Sequence, residues 1–431
     1  MRGERAPILP PVPEGVDLSE EKKREEEKKL GFETTLLHNV DKILDKTVLD
    51  VKRTSGEART EKESRREIPE ILQRADTIDA AMFEVRLEEA MSLGGEEATD
   101  STRVAGIRGV LKELNACQEI REAKPKDPDH PTKNLGDKLG LTPEQIEEGL
   151  ITNRSFILDL AERGQSLETV YKPSRGEPDF LVRGGIEEQT GYRREWLARK
   201  VSEAFELGIV PPTVLRKEGE GIGSVQKWVE GAKTPEEAPD RIMMQDELVK
   251  LALLDYLIGN QDRVHGRNHL IGKAGEVYAI DNSLSFNAPL YNEEGEERVS
   301  ALQVASLPLE QIKNVDENVH TKVVMKHLQV FWNSPARQRV LKEAFKFALG
   351  EDAEDVWRAF SLRVQETLEK EMLPLAHEVS RTEVTATPEE LARNPKRWGA
   401  DLVKMQESLR DEATGKIFRK AKLSAAIEAA A

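Results

Sequence analysis

Asp262, Asn268 and Asp281 fall within one stretch, DYLIGNQDRVHGRNHLIGKAGEVYAIDNSLSF, over residues 255–286. Apolar residues over 248–258 form a helical run that stops at Gly259-Asn260, and a polar loop over 261–267 follows. Two short apolar runs, 268–271 and 277–280, flank a glycine-containing turn, which is the pattern of a β-hairpin. A hairpin lays its two ends side by side. Asn268 at its start and Asp281 at its finish should therefore face the same small volume as Asp262. Three oxygen-bearing side chains converging there suit Mg²⁺ and a hydroxyl nucleophile, which phosphoryl transfer requires.

A cation for the phosphates should lie upstream on a strand. Thr169-Val170-Tyr171-Lys172-Pro173 is a β-type segment closing on Lys172, and it pairs naturally with 155–158 across the Glu162-Arg163-Gly164 turn. A helix is expected over 192–207, stopped by Gly208, with Leu197, Val201 and Ala204 on its apolar face and Glu195 in its first turn. Residues 209–215 and 223–231 read as two more strands and a connector. Singly, an Asp-Arg pair, a strand-ending Lys or a first-turn Glu is an ordinary surface feature; the joint order of these parts is what carries chemistry. His265 and His269 lack partners at metal-ligand spacing, so zinc is not expected, and His269 should point from its strand toward solvent or the loop.

The segments YKP, REWLARKVSEAFELGIVPPTVL, GSVQKWVEG, GNQDRVHGRN and YAIDNSLSF resemble the phosphatidylinositol 3-/4-kinase-like branch of the kinase superfamily. Within it they are most similar to type II phosphatidylinositol 4-kinases, actin-fragmin kinase and bacterial relatives. The resemblance covers residues 140–300, with a helical C-lobe continuing to about 375. It implies an α+β, bilobal kinase-like fold with a small β-rich N-lobe and a helical C-lobe, and ATP with Mg²⁺ (or Mn²⁺) as cofactors. By the same resemblance, Lys172 would hold the α/β-phosphates and Glu195 would pair with it. Asp262, with Arg263 beside it in the catalytic set, would orient or deprotonate the acceptor hydroxyl, while Asp281 and Asn268 would bind metal. Gln226, Lys227, Trp228 and Val229 would form the hinge that meets adenine through backbone groups. Two departures stand out. Asn268 is six residues after Asp262 where the family has five, and no G-x-G-x-x-G loop precedes Lys172, which leaves Asn153 and Ser155 in 149–156 to cover the phosphates.

Composition sets the wider frame. With 64 basic and 80 acidic residues the net charge is −16, which disfavours nucleic acid as the principal partner. A single cysteine, Cys117, excludes an intramolecular disulfide, and Val110, Leu111 and Leu114 around it mark a helix core. No run of about 18 apolar residues occurs, so no membrane span is expected. MRGERAPILPPVPEG lacks the apolar core of a secretory signal, so a cytoplasmic protein is expected, with a specialised export system as the other route.

The expected organisation is a Pro-rich disordered start over 1–19, a charged helical region over 20–123 and a linker over 124–139. The catalytic domain over 140–375 and a polar helical tail over 376–431 complete it. Within these, 20–29 reads as a solvated helix, 68–92 and 102–123 as helices, and Thr142-Pro143-Glu144-Gln145 as a helix start. Residues 323–349 and 352–373 read as C-lobe helices. After Phe286 the chain carries Glu293, Glu294, Glu296 and Glu297 against Arg298, the wrong sign for an anionic head group. A protein Ser/Thr or small-molecule hydroxyl is thus preferred as acceptor over an inositol lipid. The rivals are a lipid kinase, an AMP-transferring enzyme of the same fold, and a non-catalytic nucleotide-binding module.

Overall fold

After the helical residues 35 and 37–40 come two long helices, α1 over Glu61–Ser92 and α2 over Asp100–Glu122. The computed structural model of the chain describes residues 35, 37–40, 61–92, 100–127, 132–139, 155–162, 165–175, 190–219, 221–260, 263, 268–287, 308 and 311–373. Helix α1 begins before the expected 68 and runs past Pro69, whose missing N–H leaves one rung of the ladder open. Six strands follow: β1 (Lys124–Pro125), β2 (Thr132–Asn134), β3 (Phe156–Glu162), β4 (Gln165–Pro173), β5 (Thr213–Glu218) and β6 (Gly221–Lys227). They form an antiparallel sheet in the order β1-β3-β4-β6-β5, with β2 also on β3. Between them lie α3 (Leu135–Lys138), capped by Asn134, and α4 (Gly191–Ala204). The chain is α+β.

Strand alternation gives the sheet two buried faces. Tyr171, Val225 and Val214 stand in register across β4, β6 and β5 and pack with Phe83, Val110, Cys117 and Ile120 of α1 and α2. One residue along, Lys172, Ser224 and Leu215 are in register on the opposite face, toward α4. Gly223 makes this approach possible: a Cβ there would sit 2.2 Å from the Lys172 carbonyl oxygen and 2.7 Å from Pro173 Cα.

Helix α5 (Gln245–Ile258) is apolar nearly all round and buried, and Gly259 ends it in the left-handed region at φ 61°. Strands β7 (His269–Ile271) and β8 (Val277–Ala279) form the expected hairpin. Helices α6 (Glu317–Trp332), α7 (Pro335–Leu349) and α8 (Ala353–Lys370) close the core around Phe205, Phe286, Phe331, Phe345 and Phe360. The expected single helix over 323–349 is two helices. Ser334 caps α7 by accepting from the Arg337 N–H, and Pro335 at its first position cannot continue α6.

Other expectations change as well. Residues 124–125 and 132–134, read as linker, pair with β3 at the sheet edge, where a proline costs no ladder bond. The region ending at 123 shares the core with the rest: Ala75, Ile78, Met82 and Val85 of α1 pack in the same cluster as α4, α5 and α7. Strand β5 begins at Thr213 instead of 209, after Pro211 and Pro212. Leu111 is exposed while Val110 and Cys117 are buried. The Pro-rich start, the charged run 20–29, the Thr142 helix start, His265, the acidic run after Phe286 and the tail lie outside the described residues.

Candidate functional site

Lys172 is the meeting point of three elements. Its Nζ lies 2.5 Å from Glu195 Oε1 on α4 and 2.8 Å from Asp281 Oδ1 just after β8. The second oxygen of Glu195 accepts the Asn282 N–H at 2.9 Å, so α4 is tied to the segment leaving the hairpin. Asp281 also accepts from Ser283 Oγ at 3.2 Å. Exposure grades the three side chains, 3% for Glu195, 18% for Lys172 and 30% for Asp281, so Asp281 is the most accessible of them.

Electrostatics follow this geometry. Burial opposes the Lys172 charge, yet Asp281 and Glu195 outweigh it and hold the ammonium above the ordinary lysine range. Burial also pushes on Asp281, but Lys172 prevails and keeps that carboxyl below the usual range. For Glu195, the more deeply buried acid, burial prevails and raises it despite Lys172. Two carboxyl groups share one ammonium.

The hairpin brings Asn268 and Asp281 together. The Ile280 N–H donates to the Asn268 carbonyl at 3.0 Å. Asn268 and Asp281 both sit in the left-handed region, at φ 62° and 52°, a conformation that Asn and Asp adopt more readily than most residues. Asp262, expected to orient the acceptor, and Asn153, expected over the phosphates, lie outside the described residues. Ser155 is buried, and its carbonyl accepts the Leu135 N–H at 3.1 Å.

Arg263 has no exposed surface. Its Nε lies 2.9 and 3.0 Å from the two oxygens of Asp255 on α5. Its Nη1 donates to the carbonyls of Asn268 and Ile280, and Nη2 to Asn282 Oδ1 at 2.7 Å. Its guanidinium thus ties the end of α5 to both ends of the hairpin, and every one of these bonds is made within the fold. Asp255 and Asn282 are the partners that sequence reasoning missed. Asp255 sits in an apolar helix near its end, and a buried acid in such a run signals an unseen cationic partner.

The expected hinge is partly spent on the fold. The Lys227 N–H donates to Pro212 O at 2.8 Å and the Trp228 N–H to Glu168 O at 3.0 Å. The Gln226 side chain donates to Thr213 Oγ1 at 2.9 Å. Among the described residues the Val229 N–H makes no hydrogen bond, which leaves it as the backbone donor of this segment. His269, expected toward solvent or the loop, is buried on β7 and so does not face solvent. A cavity of about 1740 Å³ lies between α1, α2, α6 and the connector, with Arg86, Glu113, Trp228 and Lys326 in its walls. Lys172, Glu195 and Asp281 do not line it.

No family model matches the chain. It is similar to Protein Rv2133c of Mycobacterium tuberculosis, 28% identical over 174 residues, an alignment covering 31% of this chain and 59% of that protein. The chain thus spans little more than half the length of that relative.

Proposed function

We propose that this chain is an ATP- and Mg²⁺-dependent phosphotransferase of bilobal kinase-like fold, acting on a protein Ser/Thr or small-molecule hydroxyl. The sheet with α4 would be the small lobe, and α5 to α8 the large one. The observation that carries the reading is the contact of Lys172 with Glu195 and Asp281, drawn from a strand, a helix and the exit of a hairpin. A charged ammonium beside a partly open carboxylate fits a metal-bound triphosphate. ATP supplies the transferable phosphoryl group, and Mg²⁺ offsets its charge. Among the described residues no three His, Cys, Asp or Glu side chains cluster to hold a metal by themselves. Mg²⁺ needs no such cage, since it is usually held by one or two carboxylates plus phosphates and water.

In this reading Lys172 presents N–H donors to the phosphates, Glu195 holds Lys172 in place, and Asp281 and Asn268 offer oxygens to the metal. The Val229 N–H is the donor left for adenine, and Asp262 would orient the acceptor. The acidic residues Glu293, Glu294, Glu296 and Glu297 favour neutral or basic acceptors over an anionic lipid.

The test uses ATP labelled at the γ- or α-phosphate, with Mg²⁺, offered with a basic protein and with phosphatidylinositol vesicles. Transfer of γ-label to protein is expected, and Asp281→Ala should lower it by about 100-fold or more in a chain that still unfolds cooperatively. Incorporated α-label would mean AMP transfer, and labelled lipid would overturn the acceptor class. A wild-type chain that neither binds nor turns over ATP would sink the proposal.

A further inference from the structure

Helices α1 and α2 take no part in the chemistry proposed above, yet they hold the helix that carries Glu195. Of the 14 residues of α4, all but Arg193 are buried, including charged groups that do not approach Lys172. Trp196, Lys200 and Glu203 form a stripe at helical spacing on α4. Trp196 Nε1 donates to Asp79 Oδ1 on α1 at 3.2 Å, and Lys200 Nζ lies 2.6 Å from the same oxygen. Lys200 also pairs with Glu203, and its Nζ lies 5.7 Å from the Phe83 ring of α1 and 5.6 Å from that of Trp196. Arg121 of α2 pairs with the other Asp79 oxygen and, at 2.6 Å, with Asp76. A second tie lies at the C-terminal end of α4. Arg337 of α7 donates to Ala204 O at 3.0 Å and pairs at 2.6 Å with both Glu206 and Glu89 of α1.

We propose that α1 and α2 form an intramolecular clamp that sets the rotation and depth of α4, with Asp79 as the positioning residue that keeps Glu195 against Lys172. The proposal rests on reading Lys172 and Glu195 as nucleotide-positioning groups. Charges at 0% and 2% exposure, as for Lys200 and Asp79, are tolerated only when paired. A small slip of α4 would leave them unpaired in an apolar surround, so the helix is either docked in this register or undocked. Lys200 is five residues from Glu195, about 7.5 Å along a rigid helix at roughly 1.5 Å per residue, so displacing one carries the other. The N-terminal helices thereby set how well the site is assembled.

The test uses the full chain with Asp79→Asn and, in case that variant does not fold, Lys200→Met, which removes the buried cation and keeps the volume. Amide exchange over 191–204 should accelerate at least tenfold while α8 stays protected. The ATP KM should rise at least tenfold with a smaller change in kcat, and Asp79→Glu should lie closer to wild type. Unchanged exchange over 191–204 in a folded variant overturns the clamp, as does acceleration spread evenly into α8 with KM unmoved. A wild-type chain without ATP turnover counts against the phosphotransferase reading, and the exchange arm alone then decides the clamp.

Discussion

Replacing Arg263 with leucine should unfold this protein far more readily than a surface substitution would, for a reason that can be sized. Arg263 and Asp255 are both at 0% exposure, and the guanidinium also donates to Asn268 O, Ile280 O and Asn282 Oδ1. Removing one partner of a buried ion pair leaves an uncompensated charge and costs about 3–5 kcal/mol. A large share of a total stability of about 5–15 kcal/mol would be lost. With a denaturant slope of roughly 3 kcal/mol/M, the urea midpoint read by tryptophan fluorescence should fall by about 1 M or more. The double variant Asp255→Leu/Arg263→Leu removes the stranded carboxylate and should recover most of that loss. ATP-dependent transfer should stay absent in both, because Asn268, Ile280 and Asn282 lose the donor that sets the hairpin ends. A single variant within about 0.3 M of wild type, or a double variant no more stable than the single, would refute the argument.

Acid should act through His327. Its Nδ1 lies 2.8 Å from Phe205 O, and burial depresses its pKa from 6.5 to about 4. The unfolded chain takes up this proton first, so stability is full above pH 6.5 and falls toward pH 4, by about 3 kcal/mol at 1.36 kcal/mol per unit. Thermal midpoints of His327→Gln should show a flatter profile across that window, and a slope equal to wild type would exclude the assignment. Gly223→Ala would force a Cβ to 2.2 Å from Lys172 O and 2.6 Å from the Tyr171 ring. A loss of about 1–3 kcal/mol together with weakened ATP binding is expected, and a variant with native stability and affinity would show that β6 does not need this approach.

Much of the site is legible locally. Gly259 stops α5 at φ 61°, as a glycine after a helical run should. The alternation over 268–280 folds into a hairpin, and that alone sets Asn268 beside Asp281. Glu195 follows Lys172 closely enough in an αβ arrangement for strand and helix to meet. The break before α7 is also written locally, in Ser334-Pro335, although the apolar spacing over 323–349 runs through it. What could not be read is who uses each backbone donor. The Lys227 and Trp228 amides are taken by Pro212 and Glu168, and which strands lie beside 226–228 is a matter of sheet order.

The clearest divide runs through α4. By itself the sequence predicts a helix over 192–207, because its apolar residues recur at helical spacing and no proline interrupts them, and the structure forms it over 191–204. The same pattern would assign Arg199, Lys200 and Glu203 to a solvated face. Only the tertiary structure decides that they are buried, by bringing Asp79 from more than a hundred residues upstream to meet Lys200. Arg263 and Asp255 divide in the same way: their order in the chain is plain, but not that both lie at 0% exposure. Helical and strand periodicity arise from each residue's own backbone and immediate neighbours, so sequence suffices for them. Whether a charge is desolvated depends on every element packed around it, and its partner can come from anywhere in the chain.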